Sequence, residues 1–78
     1  MNRAESIDVA AIRKGVRGIG KTQRSFAQAL GVSVKTLRNW EQRRRRPTGP
    51  ALVLLALVQR EPLFVAYVLE SRLKTPAA

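Results

Sequence analysis

The chain has 78 residues, enough for one small domain, and it contains neither cysteine nor histidine, which excludes disulfides, thiolate metal sites and the commonest catalytic base. Its five acids, Glu5, Asp8, Glu41, Glu61 and Glu70, form no pair suited to metal binding or acid/base work, so the composition argues against an enzyme and implies no cofactor. Fifteen Lys and Arg give a formal net charge of +10, which points to a polyanionic partner, most often nucleic acid.

Ser6 or Asp8 is placed to cap a first helix, on which Val9, Ile12 and Val16 recur at helical spacing. Gly15, Gly18 and Gly20 should end it somewhere within 16–20. Thr22 suits the N-cap of a second helix. No Glu or Gln stands three residues on, where Ser25 sits, so no capping box is expected. Phe26, Ala27 and Leu30 form its inward stripe, and Gly31 falls where a left-handed residue ends a helix. Val32 belongs to the core of the turn, and Ser33 caps a third helix. On that helix Leu37 and Trp40 face inward, which leaves Lys35, Thr36, Arg38 and Asn39 outward and Val34 on the exposed first turn.

A fourth helix should follow Pro47, with Thr48 as cap and Pro50 in the first turn. Its 51–58 body is apolar on every side, which predicts burial from several directions. Pro62 opens a fifth helix to about Leu73, with Leu63, Phe64, Tyr67 and Val68 on its packed side. The same residues are an apolar surplus in so small a chain, which favours self-association through 62–73, with Leu63, Phe64 and Tyr67 at the dimer interface. Residues 1–6 and 74–78 are expected to be flexible ends around one domain, 7–73. Five helices and no credible strand give an all-α fold. The apolar runs 51–58 and 63–69 are far shorter than the roughly 20 residues a membrane-spanning helix needs. With no secretory signal visible either, a cytoplasmic protein is expected.

Two short helices around a tight glycine turn make a helix-turn-helix, here about 22–42. Its second helix is the one that enters the DNA major groove. Arg and Lys donate to guanine acceptors, Asn pairs with adenine, and Thr or Val touches a thymine methyl. Val34, Lys35, Thr36, Arg38 and Asn39 are therefore the candidate base readers. Arg43, Arg44, Arg45 and Arg46 follow at once and suit phosphate contacts, which set position and affinity without reading sequence. Gln23 and Ser33, at helix starts, are further phosphate candidates. The charge distribution agrees: residues 1–46 hold twelve basic and three acidic residues, and 47–78 hold three and two.

The string TQRSFAQALGVSVKTLRNWE resembles the helix-turn-helix of the lambda-repressor-like (Xre) family, through Thr22-Gln23, Phe26-Ala27, Gly31-Val32-Ser33, Leu37 and Asn39-Trp40-Glu41. The longer LRNWEQRRRRPTGPALVLLALVQREP is similar to HigA-type antitoxins. The resemblance implies a five-helix lambda-repressor-like domain whose third helix reads bases, a homodimer on two half-sites of double-stranded operator DNA, and autorepression. It also implies neutralisation of a RelE/HigB-like ribonuclease toxin. The alternative is a free-standing or phage-type Xre regulator with no toxin partner. Two residues depart from the family pattern. Arg43 stands where a glycine usually follows WEQ, and Lys21 where an apolar residue is usual. Binding to single-stranded RNA is disfavoured, because the chain has only four aromatic residues and Phe26 and Trp40 face inward. A membrane-surface helix is disfavoured too, because the arginines and the apolar runs do not share one helix.

Overall fold

Val9–Lys14 forms α1, capped by Asp8, whose Oδ1 accepts from the Ala11 N–H at 3.0 Å. The computed structural model describes residues 7–74, so the flexible ends expected at 1–6 and 74–78 lie outside it apart from Lys74. The helix stops at Gly15, earlier than the expected 16–20, yet Val16 still enters the core from the following turn. The chain then crosses to α2, Gln23–Leu30. Gly20 is needed on the way: a Cβ there would collide with the carbonyl oxygens of Arg13 and Val16.

Thr22 caps α2 as expected, but the missing capping box is present after all. Thr22 Oγ1 accepts from the Ser25 N–H at 3.0 Å, and Ser25 Oγ accepts from the Thr22 N–H at 3.4 Å. Serine here takes the part usually given to Glu or Gln, because the turn brings its short hydroxyl within reach. Phe26 and Ala27 are buried as read, and Ala29 with them, while Leu30 is only half-buried. Gly31, at φ 81°, closes α2 in a Schellman arrangement: the Val32 N–H reaches the Ala27 carbonyl and the Gly31 N–H that of Gln28.

α3 runs Val34–Glu41 with Ser33 as cap. α4, Pro50–Arg60, starts from Gly49 at φ 57° with no side-chain cap, so the role expected of Thr48 is not filled. Pro50 in the first turn does fit, since its absent N–H would have no partner there. α5 is Pro62–Lys74.

The five helices enclose one core of Val9, Ile12, Val16, Ile19, Phe26, Ala27, Ala29, Leu37, Trp40, Leu55, Val58 and Leu69, with α1 against α3 and α4, and α5 against α2 and α4. Arg72 on α5 ties itself to α2 by donating Nη2 to the carbonyls of Ala29 at 2.8 Å and Gln28 at 3.4 Å.

Two expectations for the last helices are corrected. α4 is buried on one side only, through Leu55 and Val58, while Val53 and Leu57 are 61% and 50% exposed. α5 turns Val65, Ala66 and Leu69 inward, and Leu63, Phe64, Tyr67 and Val68 face solvent. The helix is apolar on both sides, so periodicity alone chose the wrong one.

Candidate nucleic-acid interface

α3 presents one face to the core and the other to solvent. Leu37 is fully buried and Trp40 nearly so. Lys35 and Arg38 are exposed, and Thr36 and Asn39 are half-exposed. Val34 is not on an open first turn: it is half-buried and packs against the core, so only part of it is presented outward. Ser33 spends its hydroxyl locally, accepting from the Thr36 N–H at 3.0 Å and donating to Thr36 Oγ1 at 2.9 Å. Both hydroxyls therefore hold the first turn of α3 in shape.

The end of α3 brings the arginine run back alongside this face. Arg43 adopts φ 61°, the left-handed value expected if the glycine conformation of the family is kept. The Arg44 N–H reaches the Asn39 carbonyl at 2.9 Å and the Arg43 N–H that of Trp40 at 3.1 Å, a second Schellman closure. Lys35, Thr36, Asn39, Arg45 and Arg46 thereby line one shallow depression with the edge of Trp40. Two candidate groups, base readers and phosphate binders, share this depression. Arg44 is exposed and does not line it. Arg43 turns away: its guanidinium lies 3.7 Å from the Asp8 carboxylate, an exposed pair at the cap of α1.

Gln23 is not free for the role expected of it. Its amide donates to Glu41 Oε1 at 3.0 Å. The same carboxylate accepts from Arg13 Nε at 2.7 Å and Nη2 at 3.3 Å, and Arg13 Nη1 donates to the Gly20 carbonyl at 3.1 Å. The Arg13 and Glu41 side chains are only 11% and 7% exposed. Burial raises the pKa of Glu41, but hydrogen bonds from Arg13 and Gln23 and the positive charges of Arg13 and Lys14 outweigh it, and the carboxyl ends below its ordinary value. This network locks α1, the start of α2 and the end of α3 together. Sequence reading missed it, although Leu37, Trp40 and Glu41 stand at helical spacing and place Glu41 on the inward face.

A buried-face helix held by its neighbours, with an opposite face of long donors and an adjoining basic loop, is what a DNA-reading helix requires. The helix-turn-helix family matches residues 9–58. The chain is 49% identical over 45 residues to antitoxin HigA-2 of Vibrio cholerae, a match covering 58% of this chain and 43% of that protein. It is 35% identical over 63 residues to the uncharacterized HTH-type transcriptional regulator YiaG of Escherichia coli K12, covering 81% of this chain and 62% of that protein. The matched part thus spans less than two thirds of either relative. No solved structure matches significantly. The chain belongs to the helix-turn-helix family of DNA-binding transcriptional regulators, with the all-α lambda-repressor-like fold of the Xre type. No helix among the described residues is long and apolar enough to cross a membrane.

Proposed function

We propose that this protein is a homodimeric, sequence-specific transcriptional repressor, the HigA-type antitoxin of an operon that it autoregulates and whose RelE/HigB-like ribonuclease toxin it neutralises. The observation that carries the DNA-reading part is the solvent-facing side of α3, where Arg38 is exposed and Lys35 and Asn39 line the same depression as Arg45 and Arg46. Lys35, Arg38 and Asn39 read base edges, with apolar contact from Thr36 and the outer part of Val34. Arg44, Arg45 and Arg46 hold phosphates. Gln23 and Ser33 serve this surface mainly by positioning α2 and α3, since their side chains are engaged within the domain. The toxin partner rests on the likeness to antitoxin HigA-2.

A free-standing regulator is the second reading, favoured by the regulator YiaG matching more of the chain than the antitoxin does. Co-expression with the product of an adjacent small ribonuclease-like gene separates the two. A stable complex that silences the ribonuclease supports the antitoxin, and its absence leaves the regulator.

Selection of bound duplexes from a random pool tests the common core. It should return a palindrome with half-sites about one helical turn, ~34–36 Å, apart. Arg38→Ala should lose about 1–3 kcal/mol of discrimination at one base position of each half-site. Arg44→Ala with Arg45→Ala should weaken all duplexes alike and flatten the salt dependence by about one unit of slope per residue. If Arg38→Ala returned the same preferred sequence as the parent, α3 would not be the reader.

A further inference from the structure

α2 ends without a cation of its own. No basic residue stands in its last turn, and its final carbonyls carry the negative end of the helix dipole. The closure at Gly31 serves two of them, since the Gly31 and Val32 N–H groups reach the Ala27 carbonyl and the Gly31 N–H also reaches that of Gln28. The carbonyl of Ala29 is met from 43 residues away, by Arg72 Nη2 at 2.8 Å, and the same nitrogen lies 3.4 Å from the Gln28 carbonyl. The helix that carries the proposed dimer surface thus supplies the C-terminal charge that a helix of the DNA-reading motif lacks.

α5 is otherwise held lightly. Of its side chains up to Leu73, Leu69 alone is buried, with Val65 and Ala66 half-buried beside it. Among the described residues, the side-chain hydrogen bonds of α5 are the two from Arg72. The buried Leu69 stands three positions before Arg72 and the exposed Val68 four before it, so Arg72 sits on the boundary between the packed and the open side of the helix. From that boundary its guanidinium restrains the rotation and tilt of α5 against α2, and α2 packs on α3. The direction in which Leu63, Phe64 and Tyr67 are presented is therefore tied to the orientation of the reading helix.

We infer that Arg72 is a positioning residue for operator choice: by clasping α5 to the end of α2 it sets the distance and phase between the two reading helices of the proposed dimer, and so the half-site spacing that the dimer accepts. The inference rests on the DNA-binding and dimer readings above. Arg72 acts through α5, without touching DNA and with no part in base choice. One base pair more or less between half-sites turns one of them by about 34–36° around the duplex. A firmly held α5 does not follow that turn, and a loosened one does.

The test measures binding of the full chain to the selected palindrome, to operators with one base pair inserted or deleted between the half-sites, and to a single half-site. The parent is compared with Arg72→Gln, with Arg72→Met, which keeps the aliphatic stem and removes the donors, and with Arg60→Gln as a control for loss of an exposed cation. The parent should lose about 10-fold or more in affinity on the shifted operators, because both half-sites can no longer be engaged at once. The two Arg72 variants should lose about 3-fold or less, and should bind the single half-site within about 2-fold of the parent. Arg60→Gln should keep the parental preference. An Arg72 variant that binds the half-site and still rejects the shifted operators as the parent does overturns the inference alone. So does loss of half-site binding by both Arg72 variants, which would make Arg72 a support of the fold, or an equal relaxation in Arg60→Gln, which would make the effect one of charge. A parent indifferent to spacing overturns the dimer reading as well, and a parent that binds no duplex overturns the DNA-binding reading.

Discussion

Arg43 is where this sequence parts from the family pattern, and the structure shows the consequence. The residue keeps the left-handed conformation a glycine would occupy, at φ 61°. An L-residue with a Cβ costs about 1–2 kcal/mol there. Its guanidinium gains little in return, because the contact with Asp8 is long and both side chains are more than half exposed. Arg43→Gly should therefore stabilise the domain by about 1 kcal/mol and raise the thermal midpoint by ~4–8 °C for a chain of this size. An unchanged or lower midpoint in a calorimetric scan would mean that the Schellman closure of α3 tolerates arginine without strain. The same residue shows what was legible. The string WEQRRRR marked Arg43 as standing where the family usually has glycine, but the reach of the side chain toward Asp8 depends on α1 and α3 lying side by side.

Legibility at the scale of elements divides along a physical line. α2 and α3 were readable because glycine, cap hydroxyls and a clear apolar stripe agree with one another. α4 and α5 were misread in their buried faces because both are apolar all round, and a periodic pattern needs polar residues to give it phase. The contact that fastens α1 to α3 was missed for another reason: Arg13 and Glu41 lie 28 residues apart, and the inward phase of Glu41 on α3 does not say which cation meets it. That pair gives a pH prediction. The folded Glu41 has a pKa below its ordinary value of 4.5, so its contribution to stability is complete above that value and is lost as pH falls through the folded one. Glu41→Gln should be less stable than the parent at pH 6–7, and the gap in urea midpoint should narrow progressively as pH falls below the ordinary value of 4.5. Glu41→Ala should cost about 3 kcal/mol at neutral pH, because it strands a nearly buried arginine. That is a large share of the ~4–12 kcal/mol expected of a domain this long. A gap that stayed constant from pH 7 to pH 3 would remove the ion pair as its cause.

For the molecule as a whole, the exposed side of α5 is the surface through which the proposed dimer would form. Phe64 and Tyr67 are 66% and 69% exposed, with Leu63 and Val68 beside them. Together these four side chains offer roughly 400–500 Å² per copy, judged from what such residues bury when covered. A stable interface uses about 800 Å² per partner. A dimer made through this patch is thus expected to be weak in free solution and completed on DNA, where two adjoining half-sites raise the local concentration of one copy beside the other. Sedimentation should find dissociation constants of ~10 µM or above without DNA, while binding to the palindrome should be cooperative. Phe64→Glu with Tyr67→Glu should weaken association by about 30-fold or more, the effect of losing a central aromatic anchor. The melting of the monomer should be unchanged, since neither ring helps to close the core. Cooperative operator binding by that double variant would place the contact elsewhere, and the uncovered stripe of Val53 and Leu57 on α4 would then be the surface to change.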